Sequence, residues 1–158
     1  MTETTDRPTD RTTDRIEKSV LLRAPRSRVW RALTDAEEFG AWFRAAMEGP
    51  FAVGETARGR ITYPGYEHLT MEVVVERMEP ERLFSYRWHP GAEEPEDPAT
   101  APTTLVEFRL EDVPGGTRLT VVESGFDRLP PERREVAFRE NEGGWEIQME
   151  NVRKHVDG

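Results

Sequence analysis

The sequence predicts a single α+β domain in which a curved antiparallel sheet wraps a C-terminal helix and leaves an internal pocket. Three observations predict it. Residues 51 to 124 run through short segments of alternating apolar and polar side chains, separated by glycine and proline turns. Trp145, Met149, Val152 and Val156 recur at intervals of 4, 3 and 4, which places them on one face of a helix. Two short helical signals follow the first strand, and strands alone occupy the stretch up to the last helix. That order suits an antiparallel sheet with a helix lying on one face.

Taken in order, residues 1–14 are threonine, aspartate and arginine with almost nothing to bury, which predicts a disordered tail ahead of one domain spanning 15–158. Ile16, Val20 and Leu22 then recur at even spacing, as in a half-buried strand that ends at Pro25. Ser27 is placed to cap a short helix carrying Val29, Trp30 and Leu33, and Thr34 or Asp35 to cap a second carrying Phe39, Trp42 and Phe43. Strand patterns follow at Phe51 to Val53, Glu55 to Tyr63, Leu69 to Met78, Arg82 to Trp88, Thr103 to Asp112 and Thr117 to Ser124. Val53-Gly54, Pro64-Gly65, Glu79-Pro80 and Pro114-Gly115-Gly116 supply the turns. The acidic, proline-rich stretch between Trp88 and Thr103 is too polar to pack and is expected to be a mobile loop. Pro130-Pro131 followed by Glu132 starts the terminal helix, and Gly143-Gly144 predicts a kink in it, or a split into two helices near 131–141 and 142–156.

Composition removes several function classes. The sequence of 158 residues contains no cysteine, which excludes disulfides, a thiolate nucleophile and cysteine-ligated zinc. A formal charge of −9 argues against nucleic acid as a partner, because phosphate binding needs a concentrated positive field. The N-terminal residues lack the apolar core of a secretory signal, and no run has the roughly 20 apolar residues of a membrane span, so the expectation is a cytoplasmic protein with no membrane partner. His68, His89 and His155 lack paired ligand spacing, so neither a metal nor another cofactor is expected. The sequence has no G-x-S-x-G elbow, since Ser124 lies in VVESGF, and it has no glycine-rich phosphate cradle.

The run VLLRAPRSRVWRALTDAEEFGAWF, the segment GGTRLTVVESGF and the ending NEGGWEIQMENVRKHV occur in the order found in a known group. Together they resemble the SRPBCC superfamily, the START and birch-pollen-allergen-like helix-grip proteins, and within it the activator-of-heat-shock-ATPase-like group, over about residues 16 to 156. The resemblance implies about seven antiparallel strands curled round a long C-terminal helix, with a gap between them that often holds an apolar ligand. Lipid carriers, hormone receptors, polyketide cyclases and co-chaperones share that fold, so membership alone does not name a function.

Residue types then point to the site. Alternation along Thr117 to Ser124 puts Glu123 on the face of Leu119 and Val121, so a sheet whose leucine faces the helix turns this carboxylate into the pocket. Such a group is either a general acid tuned by desolvation, or a structural carboxylate that pairs with an arginine such as Arg87 or caps backbone amides. Trp42, Phe43, Trp88, Phe108 and Met149 are candidates for the apolar lining, as are Phe51, Tyr66 and Phe126, with core packing as the competing role for each. Tyr63, Tyr86 and Trp145 join an apolar ring to a polar atom and are the stronger ligand-binding candidates. Gly143-Gly144 reads as close packing of the helix on the sheet, or as room for a ligand beside Trp145. Three functions compete: binding of a small apolar or aromatic molecule between helix and sheet, a cyclase- or dehydratase-like enzyme using Glu123, and a co-chaperone-like interaction module with a chaperone partner. Leu21, Val74 and Leu105, pointing outward, are candidates for a homodimer contact.

Overall fold

The structure is a computed structural model that describes residues 14–90, 97 and 100–157. The tail expected at 1–14 therefore lies outside the described residues apart from Asp14, and most of the loop expected to be mobile lies outside them too. Asp14 is held against the domain: its carbonyl accepts from the Gly125 amide at 3.2 Å and its carboxylate from the Asp127 amide at 3.4 Å.

Strand β1 (Arg15–Leu22) leads into helices α1 (Arg26–Thr34) and α2 (Ala36–Phe43). Strands β2 (Ala45–Met47), β3 (Thr56–Ile61), β4 (Thr70–Glu79), β5 (Leu83–Trp88), β6 (Thr104–Val113) and β7 (Gly116–Ser124) follow, then a short 3-10 turn (Phe126–Arg128) and the long helix α3 (Pro131–Asp157). The strands form one antiparallel sheet in the order β1-β7-β6-β5-β4-β3-β2. A register shift between Val75 and Arg77 marks a bulge in β4, a device that increases local twist and bends the sheet. The alternation read in the sequence is borne out on the inner face, where Val73, Val75, Phe84, Tyr86, Val106, Phe108, Leu119 and Val121 are all buried. Lys18 on β1 reaches α3, 3.3 Å from Glu146.

Four expectations are corrected. Phe51 to Val53 is not a strand: Phe51 plugs the core against Phe39 and Phe84 at 5.3 and 5.2 Å, directly after Pro50, which has no amide to give a ladder. The strand at that sheet edge is β2, where Met47 pairs with Gly59, and a Cβ on Gly59 would lie 2.5 Å from the Met47 sulfur. Ser27 does not cap α1, which starts one residue earlier with Pro25 as its N-cap, whereas Asp35 caps α2 as expected by accepting from the Glu37 and Glu38 amides at 3.0 Å. Helix α3 neither ends nor splits at Gly143-Gly144 but runs through 27 residues, because Ala137, Trp145, Met149 and Val152 stay buried along one stripe. A Cβ on either glycine would meet nothing within 4 Å, so close packing on the sheet does not explain them.

Of the outward apolar residues, Leu21 and Val74 are exposed and Leu105 is half-buried. No helix among the described residues is long and apolar enough to cross a membrane.

Candidate functional site

Glu123 faces inward from β7 as its strand phase requires, and it is fully buried. Its partners come from three other elements. The Trp145 indole N–H on α3 donates to Oε1 at 2.8 Å, and the Trp88 indole N–H on β5 donates to Oε2 at 2.8 Å. The Thr104 hydroxyl on β6 donates to Oε2 at 2.5 Å, and the Asn141 amide on α3 spans both oxygens at 2.9 and 3.0 Å.

These contacts decide between the two readings of Glu123 in part. A carboxylate offers about four lone-pair sites, and all are taken. None of the four partners is cationic, and the expected arginine is elsewhere: Arg87 pairs with Glu76 at 2.9 Å. Two indoles and an amide can only donate here, so the network is built for the ionised form. Burial pushes the pKa up while the donors from Thr104, Trp88, Trp145 and Asn141 pull it back, leaving it above the ordinary carboxylate value. The register explains the convergence. Trp88 pairs with Thr104 and Val106 with Glu123, so strands β5, β6 and β7 bring the three side chains to one spot on the inner face. Asn141 and Trp145 stand one helical turn apart on α3 above them.

Aromatic rings wall this network. Trp88 and Trp145 lie 5.8 Å apart between ring centres, and Phe43 sits 6.0 and 6.2 Å from them. Phe108 meets Trp145 edge-on at 5.7 Å, and Tyr86 meets Trp88 at 5.3 Å. Trp88 is half-buried. The structure thus brings together seven of the nine site residues read from the sequence, with Met149 buried one turn beyond Trp145. Trp42 lies behind them: its indole N–H donates to the Ala32 carbonyl at 2.8 Å and its ring packs on Phe108. Tyr63 stands apart on the β3–β4 turn, exposed, beside Tyr66 at 5.9 Å and under the Arg44 guanidinium at 5.6 Å. Thr104 and Asn141 went unread, although Thr104 shares the strand phase of Val106 and Phe108, and Asn141 precedes Trp145 by four residues.

One buried polar atom in this region has no partner among the described residues: the Tyr86 hydroxyl, whose residue is 0% exposed. Burial first, and the Glu123 charge second, push the phenol well above its ordinary pKa of 10.0. A surface cleft of about 560 Å³ lies elsewhere, between α2 and β2, and contains none of these residues. No group of histidine and carboxylate side chains among the described residues is arranged to hold a metal.

The family described as Activator of Hsp90 ATPase homolog 1-like protein matches residues 23–157. No curated protein matches the chain. Among solved structures, protein MLL2253 from Mesorhizobium loti is 25% identical with a TM-score of 0.72, covering 90% of this chain and 96% of its own. The Aha1 dimer from Colwellia psychrerythraea is 16% identical with a TM-score of 0.70, covering 90% and 96%. DynU16, from the dynemicin biosynthetic locus, is 22% identical with a TM-score of 0.69; this chain spans 46% of its length.

Proposed function

Because the chain belongs to the Activator of Hsp90 ATPase homolog 1-like family, whose helix-grip fold serves many unrelated tasks, its function has to be argued from its own interior, and we propose that it binds a small apolar or aromatic molecule between α3 and the sheet. The observation that carries this is a fully buried carboxylate set in aromatic walls, beside a phenol that has no hydrogen-bond partner among the described residues. Small-molecule sites are mostly apolar with a few convergent polar groups, and Phe43, Trp88, Phe108 and Trp145 around Glu123 have that composition. A side chain at Gly144, the residue before Trp145, would meet no atom within 4 Å. A ligand burying 200 Å² of apolar surface there would gain on the order of 5 kcal/mol from that burial.

Glu123 serves this reading as an anchor that fixes the walls. Its lone pairs are engaged by the protein, so proton transfer in a cyclase-like reaction gains nothing from its present contacts.

The test is titration of the purified protein with the neutral dye Nile red and with a panel of neutral aromatics and acyl chains, read by tryptophan emission and by native mass spectrometry. Trp88 and Trp145 sit at the site, so a bound molecule is expected to change their emission saturably at one per chain, and to raise the melting temperature with ligand concentration. Absence of saturable binding across the panel would refute the proposal.

A further inference from the structure

Tyr86 precedes Trp88 by two residues on β5 and shares its face, so its ring points into the same aromatic cluster, 5.8 Å from Phe84 and 6.0 Å from Phe108. The hydroxyl has no hydrogen-bond partner among the described residues. Its charged neighbour, Glu123, has both oxygens filled by Trp88, Thr104, Asn141 and Trp145 and offers it no free lone pair. A buried hydroxyl left without a partner is destabilising, and the usual exceptions are at functional sites. The raised pKa keeps the phenol protonated across the physiological range, so it is a standing donor.

Two consequences follow for what can sit beside it. A ligand oxygen that accepts a hydrogen bond satisfies Tyr86. An anionic group is opposed by Glu123, whose charge is buried and has no cation among its hydrogen-bond partners. We infer that the ligand is a neutral, mainly aromatic or alicyclic molecule carrying an accepting oxygen, a ketone or ether, that Tyr86 Oη–H engages, and that carboxylate-bearing lipids are rejected. Tyr86 is then the specificity-determining residue of the site. This rests on the binding function proposed above and adds the chemical class of its ligand.

Three compounds of one shape separate the cases: 2-acetylnaphthalene as the ketone, 2-isopropenylnaphthalene as its hydrocarbon counterpart, and 2-naphthoate as the anion. Dissociation constants are measured for the native protein and for Tyr86→Phe, which removes one oxygen that bonds to nothing among the described residues and so leaves the fold intact, checked by circular dichroism. The native protein is expected to bind the ketone about tenfold or more tighter than the hydrocarbon, with the anion weakest, because a site that hydrogen-bonds its ligand rejects an analogue lacking that group. In Tyr86→Phe the ketone's advantage is lost and hydrocarbon affinity is unchanged within about twofold. Equal native affinity for ketone and hydrocarbon, tightest binding of the anion, or a parallel loss of both neutral compounds in Tyr86→Phe overturns the ligand class and leaves the binding function standing. Failure of the native protein to bind any compound of the three or of the wider panel removes the binding function and this inference with it.

Discussion

Replacing Glu123 with leucine removes one side chain and strands four donors. The Trp145 indole has no route to water, because its residue is 2% exposed, so its unpartnered N–H costs about 1–3 kcal/mol. Trp88 and Asn141 are half-buried and recover hydration in part, and the Thr104 hydroxyl can rotate, so these three together add roughly 1–2 kcal/mol. Relief from holding a buried charge offsets about 1 kcal/mol of this, leaving a net destabilisation of about 1–4 kcal/mol. Glu123→Gln keeps one accepting oxygen but turns an amide N–H₂ toward a donor, and is expected to lose about 1–2 kcal/mol. Both variants should remain folded, since a domain of this size is typically stable by about 5–15 kcal/mol. Urea unfolding followed by tryptophan emission and by far-ultraviolet circular dichroism measures the differences. A leucine variant as stable as the native protein would show that the donors find other partners and that the network does not hold the helix to the sheet.

Further outcomes are open to measurement. Partial burial raises the Glu38 pKa, but hydrogen bonds from His155, Arg28 and Arg31 outweigh it and lower the value from 4.5 to about 2. The folded value lies below the unfolded one, so the stabilisation is present above pH 4.5 and lost as pH falls from 4.5 toward 2; Glu38→Gln should cost about 1–2 kcal/mol at pH 7, after allowing for solvent screening, and nothing near pH 2. Glu123 has the opposite sign: its folded pKa is raised, so native stability declines as pH rises from the ordinary carboxylate range through the folded value, a slope that Glu123→Gln abolishes. Gly143→Ala meets nothing within 4 Å on an exposed helix face and should stabilise by about 1 kcal/mol in thermal unfolding. Gly116→Ala places its Cβ 1.8 Å from the Leu22 carbonyl oxygen and should destabilise by about 1–3 kcal/mol, with unfolding midpoints as the readout for both.

The sheet and the inward direction of Glu123 were legible because period 2 is a strong local signal: Leu119, Val121 and Glu123 share a face whatever the rest of the chain does. Strand β2 was not legible. Ala45–Met47 has neither length nor β-branched side chains, and it forms because Arg44, in a left-handed conformation at φ 73°, turns the chain from α2 onto β3. Gly143-Gly144 misled for the converse reason: local propensity disfavours a helix there, while the buried stripe on either side keeps it continuous. The role of Trp88 as a donor to Glu123 depends on register across three strands, which no single segment carries. Tyr63 was drawn into the site by residue type alone, and its turn carries it away.

The pairing of β1 with β7 joins segments far apart in the chain: the Ser19 and Thr120 hydroxyls meet at 2.9 Å although the residues are 101 positions apart. During synthesis at about 5–20 residues per second, β1 therefore emerges several seconds before the strand that will cover its edge exists. Over that interval Val20 and Leu22 belong to an unpaired hydrophobic strand, a template for pairing with other nascent chains. Closing so long a loop also makes this the late, slow step of folding, and the α3 docking that completes the Glu123 network must wait for it. The interior around Glu123 is thus assembled only after β7 and α3 have followed the rest of the sheet out of the ribosome.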